Sequence, residues 1–274
     1  MREFENSVIP IIESHIDNFT NLEKKIAHFF INNQEKLDFS TKNIASLLYV
    51  SEAALSRFAQ KMGFPGYREF IFQYKETFAK GHEKVVEDYI KEALNTYEEL
   101  LNKSYNLIDG EQVRRIAKLF SEKKRIYVYG MGSSGLAAKE FKMRFMRLGV
   151  DVESITDAHL LAVNSVRVNE DCIVIGITIS RSTKEVLNAM KKAKENSATT
   201  ILITSKKDNA ASESFDEEIL VSVRKNLEYG NIISPQFPIL IIIDILYASY
   251  IREDKKSREK TYDSTLYAIL DRHL

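Results

Sequence analysis

A single cysteine in 274 residues excludes a disulfide framework. Cys172 sits in the run Cys-Ile-Val-Ile-Gly-Ile, which reads as burial of a small hydrophobe and not as a redox centre. The five histidines (His15, His28, His82, His159 and His273) are scattered and never at metal-ligand spacing, so no structural metal and no cofactor are expected. Net charge is also missing: 39 basic residues balance 39 acidic ones, which removes any global electrostatic case for nucleic acid or a membrane. Long apolar runs are absent too. The longest, Phe237 to Ala248, is broken by Pro238 and Asp244 and is too short to span a bilayer. The start, Met-Arg-Glu-Phe-Glu-Asn, lacks the charged-then-apolar pattern of a secretory signal, and no internal repeat or low-complexity tract is found. What these absences leave is a soluble, cytoplasmic protein with no membrane partner, long enough for two domains.

Locally the charge is uneven. Between Phe39 and Lys75 the basic residues Lys42, Arg57, Lys61, Arg68 and Lys75 face only Glu52 and Glu69, a modest positive stripe. The first third of the chain is patterned for helices. Leu22, Ile26, Phe29 and Phe30 recur at one-face spacing after Thr20, whose partner Glu23 completes a capping box, so the first helix is expected to start near Asn21. Thr41 can cap a second helix that buries Ile44, Ala45, Leu47 and Leu48. After a three-residue turn, Ser51 can cap a third that buries Leu55, Phe58, Ala59 and Met62 and stops at Gly63. A turn at Phe64-Pro65-Gly66-Tyr67 leads to a further helix towards Lys80.

Two short helices joined this way form a helix-turn-helix, in which the first braces the second and the second enters the major groove by its N-terminal turn. The groove-facing candidates are Ser51, Glu52, Ala53, Ser56 and Arg57. Arg57 is the candidate base contact, because a guanidinium pairs bidentately with guanine, while Lys42, Ser51, Ser56 and Lys61 would position phosphates.

Residues 81 to 104 are charged, helix-prone and poor in proline, as suits a helical connector. From Arg125 the composition changes to short β-rich runs (Ile126 to Tyr129, Val150 to Ile155, Cys172 to Thr178, Thr199 to Thr204, Ile219 to Val223). They alternate with helical segments near Leu136 to Leu148, His159 to Ser165 and Thr183 to Asn196. That alternation predicts a parallel sheet flanked by helices, with a last helix over Pro235 to Arg252. The expected fold is an α-helical helix-turn-helix domain over 1–80, a connector over 81–106 and an α/β domain over 107–274.

Two segments of the α/β part carry small hydroxyls where a strand hands over to a helix. Tyr-Val-Tyr-Gly130-Met-Gly132-Ser133-Ser134-Gly135 is one and Thr178-Ile-Ser180-Arg181-Ser182-Thr183 is the other, and such places favour a bound anion. The ligand-binding candidates are Gly132, Ser133, Ser134, Thr178, Ser180, Arg181, Ser182 and Thr183. Gly130, Gly132 and Gly135 also match the dinucleotide fingerprint, with Asp151 and Glu153 about where a ribose-binding acid would fall.

At these residues the chain resembles the RpiR family of bacterial transcriptional regulators over nearly its whole length. The resemblance rests on the helix-turn-helix with Gly63-Phe64-x-Gly66-Tyr67-x-x-Phe70. It rests equally on a SIS (sugar isomerase) domain signature in Gly130-x-Gly132-Ser133-Ser134, Arg144-Phe145-x-Arg147-Leu148-Gly149 and Gly176-Ile-Thr-Ile-Ser180-x-x-Thr183-Lys-Glu185. It implies a regulator, not an enzyme, of carbohydrate uptake or metabolism genes. Its SIS domain would sense a phosphosugar through Ser133, Ser134, Ser180 and Thr183. The implied partners are a palindromic double-stranded DNA operator and a second copy of the chain, in a homodimer or homotetramer joined through the last helix and SIS surfaces.

Two positions depart from the family pattern: Arg181 stands where glycine is usual and Ala54 where threonine is usual. Arg181 either adds a charge-assisted contact to the phosphate or strains the loop and narrows the pocket. Two other functions remain open: a sugar-phosphate isomerase with Glu185 or His159 as acid/base, and an NAD(H)-sensing repressor using Gly130 to Gly135.

Overall fold

A computed structural model describes residues 8–33, 35, 37–76, 87–207, 215–223 and 232–270. The chain divides into two compact units, Met1–Glu87 and Asp88–Leu274. The part of the expected connector between residues 81 and 86 lies outside the described residues.

The first unit holds α1 (Ile9–Ser14), a short 3-10 turn (Ile16–Asn18), α2 (Asn21–Asn32), α3 (Thr41–Leu48), α4 (Glu52–Lys61) and α5 (Tyr67–Glu76). The capping box forms as the sequence predicts, with Thr20 N donating to Glu23 Oε2 at 2.8 Å and Glu23 N to Thr20 Oγ1 at 3.4 Å. Ser51 caps α4 by accepting from Ala54 N at 3.1 Å. Gly63 ends that helix at φ +84°, a left-handed backbone that glycine adopts without Cβ strain. Thr41 is not the cap of α3: Ser40 takes that place, its Oγ accepting from Asn43 N. Helix α1 and the 3-10 turn precede the helix expected to be first, because Ile9 and Ile12 are too few to set a period yet still reach the core.

Aromatic packing closes this unit. Phe30 is fully buried against Phe70 and Tyr74, at centroid distances of 4.9 and 4.8 Å and edge-on to both. Burying one such ring contributes about 2–3 kcal/mol. The Tyr74 hydroxyl donates to the Phe30 carbonyl at 3.0 Å, so the polar tip of the ring is satisfied inside the core.

The second unit begins with α6 (Asp88–Leu107) and α7 (Gly110–Glu122). It continues as β1 (Arg125–Gly130), α8 (Gly132–Met146), β2 (Val152–Ile155), α9 (Ala158–Ser165), β3 (Cys172–Ile177), α10 (Lys184–Glu195), β4 (Thr199–Thr204), β5 (Glu217–Leu220), α11 (Phe237–Glu253) and α12 (Lys255–Leu270). All four strand pairings are parallel and the order is β2-β1-β3-β4-β5.

The period-2 alternation of the strands sorts two cores, one on each face. Ile126, Val128, Ile173, Ile175, Ile201 and Ile203 pack with residues of α7, α8 and α11. Tyr129, Val174 and Leu202 pack with residues of α9 and α10. Cys172 belongs to this second core and carries a free thiol, as the sequence predicts. Every residue of β3 is buried, as suits a central strand covered on both faces.

Several element limits differ from the sequence reading. Helix α8 opens at Gly132 and not near Leu136, because packing on β1 and β2 outweighs the poor helix propensity of its Gly-Ser-Ser-Gly start. Strand β5 starts at Glu217, two residues before the expected Ile219, since partners on other elements bind both of its carboxylates. Helix α11 is not the last: α12 follows it. That helix buries no residue fully and has no apolar stripe to find; Arg147 over the Tyr262 ring (3.9 Å) and Arg258 over the Tyr250 ring (4.2 Å) fix it to its neighbours.

Candidate functional site

Each unit presents one candidate surface. On the first, α3 and α4 are separated by Tyr49, Val50 and Ser51, the three-residue turn of the sequence reading. Tyr49 adopts φ +53° and is 89 % exposed, so a non-glycine residue makes the left-handed corner of the motif. Beyond the corner, Ser51, Glu52, Ala53 and Arg57 are exposed on α4, Ser56 is half-buried, and Lys42 is exposed on the first turn of α3. Ser51 Oγ serves as the helix cap and Ser56 Oγ donates to the Glu52 carbonyl at 3.3 Å.

Lys61 differs from the other candidates. Its ammonium donates to Glu23 Oε2 at 2.8 Å and to the Asn18 carbonyl at 2.7 Å, and lies over the Phe19 ring. The bond from Lys61 holds the Glu23 carboxyl below the usual glutamate range against the opposing effect of burial. Contact between Lys61 and a DNA phosphate would therefore compete with an ion pair inside the unit. Ala54, which stands where the resemblance leads one to expect threonine, is 5 % exposed and faces the core.

On the second unit the two hydroxyl segments leave the sheet side by side. Gly130, the end of β1, pairs with Ile177, the end of β3. From there α8 runs back on one face to β2 and α10 on the other face to β4. The strand order reverses between β1 and β3, which opens a crevice at their carboxyl ends, the place where parallel α/β sheets bind ligands.

Glycine is required at 130, because a Cβ there would lie 2.6 Å from the Ser134 carbonyl oxygen. Gly132 opens α8 at φ +53°, and the N-cap, Met131, supplies no side-chain hydrogen bond, leaving the first-turn N–H groups without a capping side chain. Ser133 and Ser134 are half-buried on that turn.

In the second segment Thr178 is buried, and its hydroxyl lies 3.1 Å from the Thr183 hydroxyl, while Ser180 and Ser182 join their hydroxyls. Thr183 is the N-cap of α10 yet makes no capping bond. Two helix N-termini and a set of hydroxyls thus share one rim, an arrangement able to hold an anion by N–H and O–H donors.

Asp151 and Glu153, the acids of the dinucleotide pattern, fall before and within the first half of β2, Glu153 in register with Tyr127 of β1. Asp151 precedes β2 and pairs with Arg125, and Glu153 pairs with Lys142 at 2.8 Å. A ribose bound at the carboxyl ends would not meet them. His159 and Glu185, the acid/base candidates, are both exposed; Asp157 caps α9 through the N–H groups of His159 and Leu160. Among the described residues no cluster of three or more His, Cys, Asp or Glu could hold a metal, and no helix is long and apolar enough to cross a membrane.

Residues 6–81 match the helix-turn-helix domain of the rpiR family, and residues 119–242 match the SIS domain. The chain belongs to the RpiR family. It is an HTH-type transcriptional regulator with a SIS domain.

An HTH-type transcriptional regulator of Clostridium perfringens is 28 % identical to this RpiR-family chain over 264 residues, 92 % of this chain and 95 % of the relative. One from Haemophilus influenzae is 26 % identical over 98 % of each. In fold, the chain is similar to the Vibrio vulnificus NanR protein complexed with ManNAc-6P, with a TM-score of 0.62 and 19 % identity over 97 % of this chain and 98 % of that one. The sugar isomerase domain of an RpiR transcription factor from Sphaerobacter thermophilus aligns with a TM-score of 0.59 at 17 % identity, over 65 % of this chain and 98 % of that one.

One residue that bears on the rim of this RpiR-family chain is absent from the sequence reading: Glu218 of β5. Arg181 is not turned to solvent: its guanidinium forks onto Glu218 of β5, Nη1 to Oε2 at 2.9 Å and Nη2 to Oε1 at 2.8 Å. Nothing local marks Glu218 as a partner, 37 residues downstream. The only sequence hint is the run of three acids, Asp216, Glu217 and Glu218, just before the apolar Ile219-Leu220-Val221.

Proposed function

We propose that this regulator reads a palindromic operator with α3 and α4 and senses a phosphosugar at the rim formed by Ser133, Ser134, Ser180 and Thr183. The genes it controls would serve carbohydrate uptake or metabolism. The observation that carries the proposal is the pairing of Gly130 with Ile177, which sets two hydroxyl-lined helix starts side by side at the point of strand reversal. One compact phosphate on a small body suits that crevice, and the NanR protein of similar fold is complexed with a phosphorylated amino sugar. Gly132, Thr178 and Ser182 would complete the cradle with the N–H groups of the first turns.

At the reader, Arg57 would contact base edges from the exposed face of α4. Glu52 and Ala53 would face the groove, and Lys42, Ser51 and Ser56 would meet phosphates. Reader and sensor correspond to 1–80 and 107–274, with 81–106 between them. A cytoplasmic homodimer or homotetramer follows, because one helix-turn-helix spans too few bases and paired readers about 34 Å apart meet successive major-groove faces.

The NAD(H) reading is disfavoured by the two acids, which lie before and in the first half of β2 and pair with Arg125 and Lys142, and the isomerase reading by the exposure of His159 and Glu185 and by relatives named as regulators. Titration of the full-length protein with a panel of sugar phosphates and with NADH, read by thermal shift and by mobility of DNA from upstream of its own gene, tests the proposal. A sugar phosphate that raises the melting temperature and changes DNA retention supports it. Binding of NADH alone, or turnover of a sugar phosphate, would overturn it.

A further inference from the structure

Arg181 occupies a backbone conformation that L-residues avoid. Its φ is +54°, inside the second rim segment, where glycine would sit without strain. Something must hold it there. The guanidinium accounts for this, since it makes two parallel bonds to the Glu218 carboxylate and a third to the Lys206 carbonyl at 3.0 Å. Both partners are nearly out of solvent, with side-chain exposures of 9 % and 14 %. A forked ion pair so poorly hydrated has strict geometry.

The anchor end is itself fixed. Gln112 of α7 donates to the Glu218 carbonyl at 3.1 Å and to the Glu217 carboxylate at 2.8 Å, and Arg115 pairs with Glu217 at 3.1 Å. The loop end is tied on its other side, where Thr178 N donates to Ile203 O and both Ser205 N and Ser205 Oγ donate to Ile179 O.

We infer that Arg181 is a positioning residue and not a phosphate ligand: forked onto Glu218, it clamps residues 178–183 to β5 and holds Ser180 and Thr183 at the rim. The inference rests on the reading of that rim as a phosphosugar site, and it removes the one cation that the rim segments themselves carry from the list of ligand contacts. Anion binding there falls to hydroxyls and backbone N–H groups.

Three variants of the full chain decide it: Glu218→Gln, Arg181→Gly and the double substitution. Two readouts are taken, hydrogen exchange of the amides in 178–183 without ligand, and affinity for inorganic phosphate and for N-acetylmannosamine 6-phosphate. Glu218→Gln, which unfastens the clamp, is expected to speed exchange at the amide of residue 181 by tenfold or more and to weaken whichever probe binds by at least fivefold. In the Arg181→Gly background the same change at 218 should alter neither, because glycine holds the left-handed turn unaided and no guanidinium remains to anchor.

Equal effects of Glu218→Gln in both backgrounds would overturn the clamp, as would unchanged exchange. Tighter probe binding in Glu218→Gln would overturn it too, by showing that a released Arg181 reaches the phosphate. If neither probe binds any variant, the phosphosugar reading loses its support while the exchange data still decide the clamp.

Discussion

The hydroxyls of Thr178 and Thr183 lie 3.1 Å apart across the turn that carries β3 into α10. The Thr183 hydroxyl is thereby held at the mouth of the helix without capping it. Thr183→Ala and Ser134→Ala are each expected to weaken binding of the phosphosugar by about 1–3 kcal/mol, the range for a hydrogen bond to a charged group. Calorimetric titration measures the loss. DNA retention without ligand should persist, since both positions lie in the second unit and a ligand alters DNA affinity only through its own preference between states.

Gly130 admits no side chain. Gly130→Ala would set a Cβ 2.6 Å from a backbone oxygen of α8, which has no rotamer by which to move away. The first turn of α8 has to shift, and stability should fall by about 1–3 kcal/mol, as for other overpacked sites. Urea unfolding of the variant checks the loss, and probe binding should fall with it because Ser133 and Ser134 ride on that turn.

Arg57 is exposed on α4 about one turn before its end. Arg57→Ala should cost about 1–3 kcal/mol on the operator and less on random DNA, the pattern of a lost base contact. Competition binding at fixed salt separates the cases, and equal loss on both DNAs would reassign Arg57 to the phosphate backbone.

Tyr49 makes a left-handed corner with a side chain that is almost fully exposed, and the Lys25 ammonium lies 5.6 Å from its ring centroid. Tyr49→Gly relieves the backbone penalty at the loss of that one contact and adds freedom to the unfolded chain. A net gain of about 0.5–1 kcal/mol is expected. Chemical unfolding of the full chain, followed at the transition of the helical unit, tests the sign.

Asp216 carries the acid sensitivity of the β4–β5 edge. Burial pushes its carboxyl up, but bonds from Thr200 Oγ1 (2.7 Å) and Thr200 N (2.8 Å), with Lys194 beside it, hold it below the usual aspartate value. A depressed carboxyl stabilises the fold above the unfolded-state value, near pH 4, and loses that contribution as pH falls through the folded-state value. Asp216→Asn should cost about 1 kcal/mol at neutral pH, a modest figure because the carboxylate is two-fifths exposed. The gap to the unsubstituted protein should narrow as unfolding is measured at successively lower pH through the aspartate range.

Local chemistry made much of this chain legible before any fold was known. The Thr20–Glu23 box, the Ser51 cap and the Gly63 stop are set within four residues of one another or by a single backbone angle, and they fixed the helices of the reader. The strand-to-helix segments at Gly130 and Thr178 were likewise marked by small residues after apolar runs. Residues with weak local signals were not legible: α12 buries nothing fully, and α1 spans six residues.

Tertiary structure alone decided the strand order that puts Gly130 beside Ile177, the placement of Asp151 and Glu153 away from the crevice, and the union of Arg181 with Glu218. The physical reason is range. Caps and periodicity arise from neighbours in the chain, whereas strand order and ion pairing across 37 residues follow from which apolar faces are buried together, and that is settled only when the whole sheet closes its two cores.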